Sequence, residues 1–90
     1  MNNILHQQQD GQGQFFLCDK HNHRVAELTY YFVDDKTINA NHTYVSPTLR
    51  GQGVADKLYQ VLRQFVLDNQ LKLIPTCSYI ALKWEREQHK

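Results

Sequence analysis

The 90-residue chain has only two cysteines, two prolines and four glycines, and each scarcity narrows what it can be. Cys18 and Cys77 stand far apart without zinc-site spacing, which points to free thiols rather than to a disulfide framework. The five histidines offer no ligand pair beyond His21-Asn22-His23 in a polar turn, so no metal site is expected. An excess of charge of either sign is missing too. Ten basic and nine acidic side chains leave +1, without the basic footprint of a nucleic-acid binder. No apolar run approaches a membrane span. The opening Met1-Asn2-Asn3-Ile4-Leu5-His6-Gln7 lacks the basic start and apolar stretch of a secretory leader. A cytoplasmic protein is expected, with neither nucleic acid nor membrane as partner.

With 41% hydrophobic residues the chain can fold, yet a chain this short buries only roughly 60–65% of its unfolded surface. That predicts a single domain over residues 1–90. Ile4 to Gln9 reads as an edge strand that Asp10-Gly11-Gln12-Gly13 turns back onto Gln14 to Cys18. After a turn at Asp19 to His23, apolar Ala26, Leu28, Tyr30 and Phe32 recur with period two. Thr37 to Val45 alternates likewise, and its pattern predicts one face of Ile38, Ala40, His42 and Tyr44. Val54, Leu58, Val61, Leu62, Phe65 and Val66 then recur at helical spacing. Leu71 to Ile74 is a short strand limited by Pro75, and Ser78 is placed to cap a last helix. The order implies α+β: antiparallel strands, then a helical crossover to a parallel strand, and a C-terminal helix.

The stretch Val45-Ser46-Pro47-Thr48-Leu49-Arg50-Gly51-Gln52-Gly53-Val54-Ala55 joins strand to helix and carries the strongest functional signal. Two glycines let backbone approach an anion, and the first N–H groups of the helix point at it with the positive end of the dipole behind them. Arg50 adds a fixed charge. The dinucleotide fingerprint would need a third small residue where Asp56 stands, and no Gly-Lys-Ser/Thr of the other common phosphate loop occurs.

Val-x-Pro-x-x-Arg-Gly-x-Gly-x-Ala resembles the acyl-CoA-binding motif of the GCN5-related N-acetyltransferases. Within that superfamily the chain is similar to a very small single-domain group, through His42-Thr43-Tyr44-Val45, Arg50-Gly51-Gln52-Gly53 and Ile74-Pro75-Thr76-Cys77. The resemblance implies acetyl-CoA or CoA as cofactor. Gly51, Gln52, Gly53, Val54 and Ala55 with Arg50 would hold the pyrophosphate, and the Val45 backbone would meet the pantetheine arm. It also implies an acetyl group passed through an acyl-cysteine to an unidentified amine. Larger relatives have helices between their first two strands, where this chain has only tight turns. An acceptor site without that wall suits an amine on a macromolecule. A second reading is a CoA-binding module that regulates a partner without turnover.

Cys77, at a strand end ahead of a helix start, is the candidate nucleophile, since the dipole there favours a thiolate. Cysteine is equally at home as a small buried hydrophobe, and residues alone leave both roles open. His42 comes within reach of the thiol if its strand pairs parallel with Lys72 to Cys77; otherwise it packs on the sheet with a ring nitrogen on backbone. Tyr79 is a candidate proton donor to the departing CoA thiolate, or a packing residue. Lys57 can reach toward the adenosine phosphate or remain solvated, and Cys18 belongs to the core.

Overall fold

In the computed structural model, which describes residues 4–88, β1 (Leu5–Gln9) turns into β2 (Gln12–Cys18) through Asp10 and Gly11. Both turn residues have positive φ, 55° and 78°, the geometry whose twist matches the flanking strands. The turn is therefore two residues long, and Gln12 and Gly13 already pair with Gln9 and Gln8. Part of the stretch read for a leader, residues 1–3, lies outside the described residues. In the next turn, Asp19 Oδ1 accepts the N–H groups of His21 and His23 at 2.8 and 3.0 Å, which fixes its shape.

β3 (Arg24–Asp34) and β4 (Thr37–Val45) extend the antiparallel run, α1 (Val54–Asp68) crosses over, and β5 (Lys72–Pro75) lies parallel to β4. The sheet order is β1-β2-β3-β4-β5, and α2 (Ser78–Gln88) closes the chain. No described helix is long and apolar enough to cross a membrane. α1 buries Val54, Leu58, Tyr59, Leu62 and Val66 against β2, β3 and β4. At about 1.5–3 kcal/mol for each large apolar side chain, this face outweighs any helix propensity. α2 packs on the same side through Ile80, joined to α1 by the Asp56–Lys83 and Arg63–Glu87 pairs.

Among the described residues, no helix covers the opposite face of the sheet. Phe16 is covered there by the Arg24 guanidinium, 4.0 Å above its ring, while Tyr31 and Tyr44 stay exposed. On the helix side, the buried Tyr30 hydroxyl donates to Gln8 Oε1 at 2.8 Å and lies 2.6 Å from His6 Nε2. Burial pushes this tyrosine up to about 12 and His6 down, so both are neutral at physiological pH. Gly13 makes room for the ring, because a Cβ there would fall on its Cζ and hydroxyl oxygen.

Gly13→Ala is thus expected to displace Tyr30 and cost about 1–3 kcal/mol, read as a lower urea midpoint at unchanged slope. An unchanged midpoint would mean that the ring moves aside freely.

Candidate active site

The cradle is built by a chain that leaves β4 in steps. Ser46 N–H bonds back to the Val25 carbonyl at 2.7 Å, its Oγ accepts Thr48 N–H at 3.4 Å, and Pro47–Leu49 winds into one 3-10 turn. The turn was not anticipated, and it holds Arg50 exposed at the lip. Gly51 and Gly53 follow at φ 82° and 72°, conformations that a side chain disfavours. No atom lies within 4 Å of where a Cβ on either would stand, so both open onto free space.

Gly53 is the N-cap of α1 and supplies no side-chain bond; the first bond onto it is Lys57 N–H to its carbonyl, at 3.1 Å. The N–H groups of Val54, Ala55 and Asp56 stand ahead of that bond, unused by the helix. Glycine in place of serine costs a cap only a few tenths of a kcal/mol, so the donors are kept free cheaply. Val54 contributes its N–H alone, since its side chain is in the core. The Gln52 amide folds back on the Thr48 carbonyl at 3.4 Å, and Lys57 is exposed. Asp56, which would repel an anion here, is held by Lys83 Nζ at 2.8 Å. That surface pair is worth at most about 1 kcal/mol to the fold, and its effect on the local field matters more. Tyr79, packed against the core, lies under the same ammonium, 5.7 Å from its ring centre.

β4 and β5 pair only from Thr37 opposite Lys72 to Ala40 opposite Pro75. Pro75 has no N–H, and the N–H groups of Thr76 and Cys77 converge on the Ala40 carbonyl at 3.0 and 3.1 Å. Beyond Ala40, β4 keeps β3 on one side, while its other edge up to Val45 has no strand beside it among the described residues. Because the two strands are parallel, their carboxyl ends share one edge of the sheet, where a crevice for ligands forms. Asp56 in the first turn of α1 reaches Lys83 in the second turn of α2.

Extending the β4–β5 register would set Cys77 opposite His42, as the sequence pattern suggested. The strand does otherwise. Thr29 pairs with His42 but Tyr30 with Ala40, so Asn41 is an extra residue and a β-bulge. The bulge reverses the alternation: Thr43 and Val45, not His42 and Tyr44, share the helix-side face with Ile38 and Ala40. His42 turns to the uncovered face, its Nε2 3.5 Å from Glu27 Oε2, and Cys77 Sγ lies 3.5 Å from Thr43 Oγ1. Thr43 was missed. Its signal was Val45, an apolar residue out of phase with Ile38 and Ala40.

Cys77 also caps α2. Its carbonyl accepts Ala81 N–H at 2.9 Å, and its sulfur meets the N–H groups of Ile80 and Tyr79, so Ser78 is the first helical residue rather than the cap. Burial is the largest influence on this thiol and raises it. The Thr43 hydroxyl and the N–H groups of Ile80, Tyr79 and Thr43 together outweigh burial and hold the thiol below its ordinary value. Cys18, beside an irregularity at the end of β2, is a second free thiol outside this cluster.

A family model described as GCN5-related N-acetyl-transferase matches residues 14–90. The chain belongs to that family. The chain is 40% identical over 58 residues to the protein NATD1 of Xenopus tropicalis, covering 64% of this chain and 53% of that protein. With NATD1 of Danio rerio it shares 36% over 67 residues, 74% of this chain and 61% of that protein. It thus spans only about half to three-fifths of the curated relatives it matches. The solution structure of a GCN5-like protein from Staphylococcus aureus superposes with a TM-score of 0.72 at 38% identity, covering 99% of this chain and 85% of that one. A family acetyltransferase from Elizabethkingia anophelis with acetyl-CoA bound shares the fold at a TM-score of 0.64 and 15% identity, over 87% and 53%.

A sulfur cap predicts a particular order of stabilities. Cys77→Ser keeps a capping atom and should stay near wild type, whereas Cys77→Ala should lose about 0.5–2 kcal/mol in urea unfolding. Because the folded thiol titrates below the unfolded one, wild type should gain on Cys77→Ser as pH rises from the folded value to the ordinary cysteine value. Equal stability of all three proteins at every pH would remove the cap.

Proposed function

We propose that this domain transfers an acetyl group from acetyl-CoA to an amine by way of Cys77. The observation that carries the reading is the meeting, at one sheet edge, of three features: the open edge of β4, the glycine cradle after it, and the capped thiol after β5. The cradle fits a pyrophosphate, because Gly51 and Gly53 leave open the space a Cβ would fill and the N–H groups of Val54 and Ala55 are free. Arg50 adds charge to that grip, and the pantetheine amides match the backbone groups of Val45 on the unpaired edge.

The Cys77 thiolate, its proton released to water, attacks the thioester carbonyl carbon. A new S–C bond forms, and the bond to the CoA sulfur breaks, leaving a CoA thiolate that takes a proton from water or from Tyr79. An uncharged amine then attacks the acetyl group on Cys77. The C–N bond forms, the amine proton passes to solvent, and the Cys77 thiolate returns. The tight turns at Asp10 and Asp19 put no helix between the first strands to wall the acceptor side, which favours an amine on a macromolecule. His42, beside Glu27 on the uncovered face, lies across the sheet from the Cys77 sulfur. A cytoplasmic setting, where Cys77 stays reduced, suits this chemistry.

CoA at ~100 times its dissociation constant should stabilise the fold by about 2.7 kcal/mol, a melting shift on the order of 10 °C or more for a domain this small. Gly53→Val should abolish the shift, because its side chain enters the cradle. Arg50→Ala should weaken it less and in a salt-dependent way. Equal shifts in all three proteins would put the ligand elsewhere.

Intact mass spectrometry with acetyl-CoA tests the transfer. Wild type and Cys18→Ala should gain one acetyl group that hydroxylamine removes, and Cys77→Ser should gain none of that kind. If CoA stabilises the protein but neither an acetyl label nor an acetylated amine ever forms, the domain is a CoA-binding module instead.

A further inference from the structure

Sulfur at the cap of α2 meets two kinds of partner. The N–H groups of Tyr79 and Ile80 are held by the helix and can only donate, so they suit a thiolate and offer nothing to a thiol proton. The Thr43 hydroxyl, 3.5 Å away on β4, can do both, because it rotates. We propose that Thr43 is the positioning residue of Cys77, accepting the S–H bond at rest and turning its own O–H onto the sulfur once the thiolate forms. The assignment rests on the reading of Cys77 as the acetyl-carrying nucleophile.

The β-bulge is what makes this contact. Without the extra residue at Asn41, the strand would present His42 to this side and Thr43 to the uncovered face. Instead Thr43 pairs with Leu28, which is fully buried, and stands half-buried on the helix side. Its branched Cβ restricts rotation about χ1. The hydroxyl is thereby aimed, and with the sulfur fixed by the cap, the proton and then the lone pair of Cys77 acquire a set direction.

The titratable groups on the surrounding elements have other partners. His42 on β4 faces Glu27, Lys83 on α2 holds Asp56 of α1 and covers Tyr79, and Lys72 of β5 sits opposite Thr37 at the other end of the strand pairing. Thr43 is therefore the one side chain hydrogen-bonded to the sulfur among the described residues.

The test uses the whole chain in a Cys18→Ala background and iodoacetamide, whose reaction reports the thiolate without any acetyl transfer. Thr43→Val keeps the branched shape and loses the hydroxyl, and Thr43→Ser keeps the hydroxyl. The pH midpoint of Cys77 alkylation should rise by about one unit in Thr43→Val. Thr43→Ser should return it to within a few tenths, with the melting shift on adding CoA unchanged in both. The rate of acetyl labelling should fall about tenfold in Thr43→Val and recover in Thr43→Ser, following the thiolate fraction. A midpoint in Thr43→Val equal to that of the parent overturns the proposal. So does a shift that Thr43→Ser fails to reverse, because packing rather than the hydroxyl would then be responsible. If no form ever acquires the acetyl group while the alkylation midpoints still separate as stated, the transfer reading fails and the Thr43–Cys77 coupling stands.

Discussion

Strand β4 hydrogen-bonds to β5 only as far as Ala40 opposite Pro75, and the rest of the site depends on that stop. Two physical facts impose it. Proline has no N–H with which to continue the ladder, and the next two N–H groups of the chain are both spent on the Ala40 carbonyl. Past that point the chain turns into α2, while β4 runs on for five residues with β3 as its one partner strand among the described residues. A sheet edge is normally a liability that invites pairing. Here it is short, Cys77 at the start of α2 meets it at Thr43, and it offers backbone donors and acceptors to an extended ligand.

The energetics explain how a small fold can keep so many groups unused. The core is one cluster, with α1 pressing five side chains onto the sheet and Ile80 of α2 joining them. Against that apolar burial, a glycine cap and two residues at positive φ are small costs that ten or so buried side chains absorb. The first-turn charge of Asp56 would work against anion binding at the same helix end. Its pairing with Lys83 also ties the first turn of α1 to the second turn of α2, so the same contact bears on the field at the cradle and on the packing of the two helices.

Much of the fold was legible in the sequence. The 3.6-residue period from Val54 to Val66, the tight turns and the crossover to a parallel strand all reappear, because each rests on local pattern and connection rules. The Arg50 to Gly53 turn was also legible, since positive φ demands glycine whatever surrounds it. Side-chain orientation past Ala40 was not. A bulge is a property of two strands in register, and alternation read along one strand carries straight through it. That is why His42 was read onto the face of Ile38 and Ala40, with reach of Cys77 as one of its two alternatives, and Thr43 was overlooked. The Cys77 cap was likewise read one residue late, because serine is the residue that convention puts there.

The uncovered face offers a rival location for a ligand. A concavity of about 780 Å³ lies on it, lined by amides of Gln7, Gln9, Gln12 and Gln14 with Thr29, Tyr31 and Asn41, and none of the cradle residues borders it. Its lining carries the Asp10 carboxylate and no cationic side chain to neutralise phosphate. The crevice and this concavity make different demands on the backbone, so titration of isotope-labelled protein with CoA, followed through its amide signals, separates them most directly. The account predicts that the signals of Gly51, Gly53, Val54, Ala55, Val45 and Cys77 move together and saturably, while those of Gln12, Gln14 and Tyr31 stay. Movement centred on Gln12, Gln14 and Tyr31, with the glycine turn unmoved, would contradict it.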